Sequence, residues 1–307
     1  MFRFEKEQKV FDIAGVNIGG QPGEYPTVLI GSIFYSGHKV VIDKFKGEFD
    51  RSQAEILINR AEELSEKTGN PLILDVVGDT SEALIKYIDF VSSITKVPFL
   101  VDGGSPTVRL PAMKHALEVG LGERAIYNSI DYYVTDEEIK ALREWGAKNA
   151  VLMAFNPRKP WAEGRIDALK GDPGRKGLLQ AAEDAGISKI LIDTAVLDMP
   201  SIGISSRAIY LVKSEFGLPA GCGPANAVTT WKRVKKGEFG SHAYEVCSGG
   251  AGIMTQVMGA NFVLYGPIEL SEFAFIACAM TDALTAYAAR RIGINVKTKN
   301  HPLYKIF

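Results

Sequence analysis

Phe99-Leu100-Val101-Asp102 is an apolar run that closes on a single carboxylate. The same form recurs at Leu72-Ile73-Leu74-Asp75, Ala125-Ile126-Tyr127-Asn128, Val151-Leu152-Met153-Ala154-Phe155-Asn156 and Ile190-Leu191-Ile192-Asp193. A continuous apolar run marks a parallel strand that helices cover on both faces. One polar residue at the end of such a strand is ordinary. Five of them, separated by helical patterns, predict a (β/α) barrel with chemistry on one rim.

Outward from these runs the alternation extends over the chain. Thr27–Ser32 reads as the first barrel strand, Leu218–Cys222 as the seventh and Asn261–Tyr265 as the eighth. The intervening stretches carry helical spacing, for example Ala54, Leu57, Ala61 and Leu64 on a helix from Arg51 to Lys67. Thr135-Asp136-Glu137-Glu138 is a capping-box start for another, and the Pro- and Gly-rich stretch 157–174 reads as a long loop. Val10–Ile18 alternates about a Gly and reads as a short hairpin capping the amino-terminal end of the barrel. The expected fold is an α/β (β/α)8 TIM barrel, one domain over residues 1–307. A doubly wound sheet would place a glycine-rich loop after its first strand; Gly19-Gly20-Gln21-Pro22-Gly23 precedes that strand instead.

Charge excludes several classes of function. Lys+Arg 35 against Asp+Glu 36 gives net charge −1, which is no nucleic-acid footprint. Lys232-Arg233 with Lys235-Lys236, and Arg290-Arg291, read as solvated helix ends. Cys222, Cys247 and Cys278 form no C-x-x-C pair, as in a protein of a reducing compartment. The charged start Met1–Glu7 and the lack of a long apolar stretch predict a soluble cytoplasmic chain with no membrane span.

The rim is defined as much by what it lacks. No strand ends in the Lys of a Schiff-base enzyme. The histidines His38, His115, His242 and His301 form no H-x-H pair and end no core strand, so no metal site is expected. A G-x-S-x-G elbow is missing, and Cys222 has no His nearby in sequence to activate it. What remains is Asp75, Asp102, Asn128, Asn156, Asp193 and Asn226. Singly, each could cap a helix or tie down a loop, which is the reading given to Asp79 and Asp198. Together they form an array of acceptors and amides suited to an amidine-like edge, as on the aminopyrimidinone ring of folates and other pterins.

Over nearly its whole length the chain resembles the H-subunit family of tetrahydromethanopterin S-methyltransferase. The likeness lies in Ala14-Gly15-Val16, in Gly19–Val28, in Arg124–Ile130, in Ala154-Phe155-Asn156-Pro157 and in Phe262–Glu269. More distantly it is similar to the pterin-binding barrels of methyltetrahydrofolate:corrinoid methyltransferases. The resemblance implies methyl transfer between the cobalt of a corrinoid and N5 of a tetrahydropterin, with the protein supplying no nucleophile. By the same resemblance, Asp102, Asn128 and Asp193 take the places of pterin-holding residues after strands three, four and six; Asp75 and Asn156 have looser counterparts. Asn226 is the expected catalytic amide near N5. Gly103-Gly104, where methanogen subunits tend to carry hydroxyl residues, leans the expectation toward tetrahydrofolate and a stand-alone enzyme. The expected partners are free cobalamin or a corrinoid protein, and the apolar last helix (Glu272–Arg290) points to a homodimer. Alternatives are a methyl-tetrahydromethanopterin:corrinoid methyltransferase subunit of a membrane complex, a non-catalytic docking subunit, or a dihydropteroate synthase, whose late strand-end Lys and Arg find no match in Leu264-Tyr265-Gly266-Pro267.

Overall fold

The computed structural model describes residues 1–307. Eight parallel strands close into a barrel: β1 (Val28–Ile33), β2 (Leu72–Gly78), β3 (Phe99–Gly103), β4 (Ala125–Ile130), β5 (Asn149–Met153), β6 (Lys189–Asp193), β7 (Ala220–Cys222) and β8 (Phe262–Pro267). Each strand pairs with the next in sequence, and β8 pairs back to β1. The helices that follow are α1 (Arg51–Thr68), α2 (Ser81–Ile94), α3 (Pro106–Glu118), α4 (Asp136–Trp145), α5 (Ala162–Lys170), α6 (Leu178–Asp184) and α7 (Met199–Phe216). After β7 come α8 (Ala225–Val228), α9 (Lys232–Lys235) and α10 (Ala243–Val257); α11 (Ser271–Ala289) follows β8, and α12 (Leu303–Ile306) ends the chain.

Side chains alternate across a strand, so every second residue points into the barrel. Ile30, Ile73, Leu100, Ile126, Val151 and Leu191 pack together there as one buried apolar cluster. Two positions further along those strands stand Ser32, Asp75, Asp102, Asn128, Met153 and Asp193. On each strand the polar residue is therefore the next inward position above a dry floor, although register sets the strands at different heights. The polar set is fixed by register, because a one-residue slip would carry every member to the helix side.

The amino-terminal hairpin (Val10–Ile13 with Val16–Gly19) plugs the barrel from below. Ala14 and Gly15 both have positive φ, +48° and +88°, as a two-residue primed turn requires. Ile13 and Ile18 are fully buried in the same cluster as the inward strand residues. Beside the plug the buried carboxylate of Asp282 on α11 accepts from Thr27 N and Oγ1, Asn70 Nδ2 and Gln256 Nε2, at 2.7 to 3.1 Å. These bonds tie the last long helix to the base of β1.

Two local expectations are corrected. Residues 162–170 are not loop but the helix α5, hidden in sequence by the surrounding Pro and Gly. One of those glycines, Gly164, is a packing necessity, since a Cβ there would lie 1.9 Å from Lys159 O. At α4 only half of the capping box forms. Thr135 Oγ1 accepts from Glu138 N at 3.2 Å, but the Glu138 side chain turns inward and accepts from Tyr127 Oη at 2.6 Å.

Candidate active site

Asp75, Asp102 and Asn128 come from three neighbouring strands and lie within hydrogen-bonding reach of one another. Asp75 is not at a strand end, as its apolar run implies. β2 continues to Gly78, and the register pairs Asp75 with Ser32 and Leu100, while Asp102 pairs with Val77 and Asn128. Asp75 thus sits one inward position deeper, 4% exposed, with Ser32 Oγ donating to its Oδ2 at 2.6 Å. Its Oδ1 is enclosed and receives no protein donor. Burial and the neighbouring Asp102 carboxylate push Asp75 well above the usual carboxylate range. Burial also raises Asp102, against the opposing effects of Asp75, Arg109 and the Gly103 backbone. Burial and the neighbouring carboxylate thus both favour the neutral form of Asp75.

Asp193 ends β6 and accepts from Ala195 N at 2.7 Å. Burial pushes it up to about 6, moderated by that N–H and by Arg165. Asn128 and Asp193, like Asp102, are partly exposed toward the mouth.

Two buried arginines, to which no sequence motif points, stand behind this ring. Arg109 on α3 donates to Gly103 O at 2.9 Å and Ser129 O at 3.1 Å, with Glu138 3.6 Å away. Arg165 on α5 is fully buried and donates to Thr194 O and Ala195 O, each at 3.0 Å, and to the carbonyls of Pro160 and Trp161. Each arginine therefore grips the backbone immediately after Asp102 and Asn128, or after Asp193, and lends these acceptors positive potential without touching the mouth.

Asn156 is tied into the loop after β5. It lies three residues past the end of β5, 1% exposed, its Oδ1 accepting from Arg158 N at 3.0 Å and its Nδ2 reaching Asp172 at 3.4 Å. Both polar ends shape the loop. Asn226 on α8 is exposed, on the segment that follows β7. Its Oδ1 would lie 3.0 Å from a Cβ on Gly266, whose φ of +79° already favours glycine. Asp198 caps α7, as expected; Asp79 instead pairs with Lys44 at 3.3 Å, and Thr80 is the cap of α2.

Cys222 is buried beside Asp193, and burial raises its thiol well above the ordinary range, which makes it a poor nucleophile. The site offers acceptors and amides. It suits the edge of a planar heterocycle better than attack by a side chain.

Residues 6–297 match the family model described as Tetrahydromethanopterin S-methyltransferase MtrH subunit. The chain is 44% identical over 311 residues to the H subunit of tetrahydromethanopterin S-methyltransferase from Methanothermobacter marburgensis, covering 100% of both chains. It is 41% identical over 319 residues to the corresponding H subunit of Methanocaldococcus jannaschii, again covering 100% of both. Among solved structures, Xanthomonas albilineans dihydropteroate synthase in complex with 7,8-dihydropteroate superposes with a TM-score of 0.60 at 18% identity, over 90% of this chain and 98% of that one. The Yersinia pestis enzyme with a pterine-sulfa conjugate gives 0.62 at 11% identity, over 91% and 100%. At such identities the structural likeness speaks for the barrel fold alone.

Proposed function

The chain belongs to the MtrH family of tetrahydromethanopterin S-methyltransferase subunits, and from that premise we propose that it moves a methyl group between N5 of a tetrahydropterin and the cobalt of a corrinoid. The observation that carries the reading is the Asp102, Asn128 and Asp193 ring at the mouth, with no activated nucleophile beside it. Asp102 and Asp193 accept from the amino and ring N–H groups of the pyrimidine edge, Asn128 completes the set, and Asp75 supports Asp102 from below. Asn226 is the amide on the N5 side. Asn156, expected among the pterin contacts, acts through the loop it shapes. Holding the two reactants in line is the main catalytic contribution, worth roughly 7–11 kcal/mol in favourable cases.

Tetrahydromethanopterin is the pterin to try first, because the relatives' own names carry it. The leaning toward tetrahydrofolate rests on the glycines after Asp102. A Cβ on Gly103 would come 2.6 Å from Val108 Cγ1, so that glycine answers to the packing of α3, whereas Gly104 has open space around it. The relatives are named as subunits, which favours a corrinoid-carrying protein as partner over free cobalamin. We place the chain in the cytoplasm; none of its helices is long and apolar enough to cross a membrane.

The test is anaerobic mixing with methylcobalamin and each pterin in turn, following the corrinoid spectrum. Demethylation is expected, faster with tetrahydromethanopterin. No change with either pterin, in a chain that still binds them, would leave a docking subunit. Binding should also depend on pH. Asp193 accepts two donors only when ionised, and its free-state value is about 6. Below that value a proton must leave before the ligand binds, so the dissociation constant should rise about ten-fold per pH unit as pH falls.

A homodimer is part of the same proposal. Val246, Met254 and Val257 on α10 and Ile276, Met280, Leu284 and Tyr287 on α11 are exposed along two helices packed side by side. The Ile276→Asp, Leu284→Asp chain should sediment as a monomer where the wild type is a dimer.

A further inference from the structure

The mouth of the barrel is chemically divided. The carboxylates and Asn128 come from β2, β3, β4 and β6. On the side closed by β8 and β1 stands a second set: Tyr35 and His38 on the loop after β1, Tyr244 on α10, and Glu269 on the single turn after β8. His38 is 2% exposed, and neither of its ring nitrogens has a hydrogen-bond partner. Its Nε2 nevertheless lies 3.2 Å from Glu269 Oε1, ion-pair distance without the alignment of a hydrogen bond. The Tyr35 ring packs tilted against the imidazole, 4.7 Å between centres. A buried imidazole left unpaired is costly, and the arrangement aims it at one carboxylate. Glu269 itself remains 36% exposed in its side chain. Burial works to raise it, but His38, its own backbone and Lys39 together hold it below the usual range, so it is a carboxylate at neutral pH.

In a bound pterin the amino-amide edge and N5 lie on different rings. With the edge gripped by β2–β4 and β6, the second ring points toward β7, β8 and β1, the side of Asn226 and Glu269. We propose that Glu269, oriented by His38, takes the proton that N5 gives up on methylation and returns it in the reverse direction. This rests on the methyl-transfer reading above. In the forward direction the N5 lone pair forms the N–CH3 bond while the Co–CH3 bond breaks with its electron pair left on cobalt, which passes from Co(III) to Co(I). The N5 centre is then a cation that still carries its hydrogen, and so an acid. Its proton moves to the Glu269 carboxylate and from there to solvent. Catalytic hydrogen bonds are often loose before the substrate arrives, consistent with the unaligned His38 contact.

The experiment compares Glu269→Gln, Glu269→Asp and His38→Gln in the full chain, measuring methyl exchange with methylcobalamin and, separately, pterin affinity by calorimetry. Glu269→Gln is expected to lower kcat by at least about ten-fold with pterin Kd within about two-fold of wild type, and Glu269→Asp to recover most of the rate. In His38→Gln the acid limb of the corrinoid-to-pterin rate should move to higher pH, because the group that holds the Glu269 proton off is gone. The other charges and titratable groups facing Glu269 are Lys39, Tyr35 and Tyr265, with Tyr244 behind Tyr35; none is altered in these variants. Unchanged kcat in Glu269→Gln, or losses of kcat and affinity in equal measure, would overturn the assignment. If Glu269→Gln does not fold, the Glu269→Asp rate and the His38→Gln pH shift decide alone. Wild-type chain that binds pterin but exchanges no methyl group would instead sink the methyl-transfer reading itself.

Discussion

Asp102→Ala is expected to weaken pterin binding by two to three orders of magnitude while leaving turnover at saturating pterin within a few-fold of wild type. The side chain lies at the mouth, partly exposed, within reach of both Asp75 and Asn128. Hydrogen bonds to a charged group contribute about 1.5–3 kcal/mol each, and a carboxylate facing an amino and a ring N–H can accept two of them. Their loss gives roughly 3–4 kcal/mol, which is the stated range of affinity. Because the pyrimidine edge is remote from N5, the deficit should fall in Kd and not in kcat. Asp102→Asn keeps the shape but exchanges one acceptor for a donor, so an intermediate loss is expected. Calorimetric titration with the pterin measures both variants. Wild-type affinity in Asp102→Ala would remove the ring from the pterin site altogether.

How much of this is legible in the sequence follows from what each signal depends on. The barrel is legible because buried parallel strands must be apolar throughout, and Asp102, Asn128 and Asp193 each stand where such a run stops. Asp75 is visible in the same way but at the wrong depth, since β2 runs on through Val76, Val77 and Gly78 and only register reveals how deep a residue sits. Asn156 satisfies the same pattern for a different reason: the apolar run continues past β5 into Ala154 and Phe155, so its end is a loop position. The hairpin plug is readable from alternation, which is local. Arg109 and Arg165 are not readable, because a buried cation is recognised by the carbonyls around it, and those come from distant segments. Arg165 is further concealed within a stretch whose Pro and Gly content mimics a loop. His38 ends no strand, so strand-end logic passes over it. Its partner Glu269 lies 231 positions away, across the β8–β1 closure, and only the closed barrel brings the two together.

Arg165→Met tests the other half of the site, its support. The guanidinium is fully buried and donates to four backbone carbonyls, those of Pro160, Trp161, Thr194 and Ala195. Methionine fills part of the volume but donates nothing, so several buried acceptors lose their partners at once. Ala195 makes matters worse, for it holds a positive φ of +51° that an alanine adopts only when its surroundings impose it. A loss of about 3 kcal/mol is expected from comparable removals of one member of a buried polar cluster, read as a drop in Tm of roughly 5 °C or more. The same substitution carries a second signature that simple destabilisation lacks. Arg165 lowers Asp193, so without it the carboxyl should titrate above its present value of about 6. The pH below which pterin affinity declines should then rise in the variant, while affinity well above that point recovers toward wild type. A lower Tm with an unmoved pH midpoint would make Arg165 a strut for the β6 turn and nothing more; a shift in both would tie the stability of the barrel and the ionisation of its pterin ring to one buried side chain.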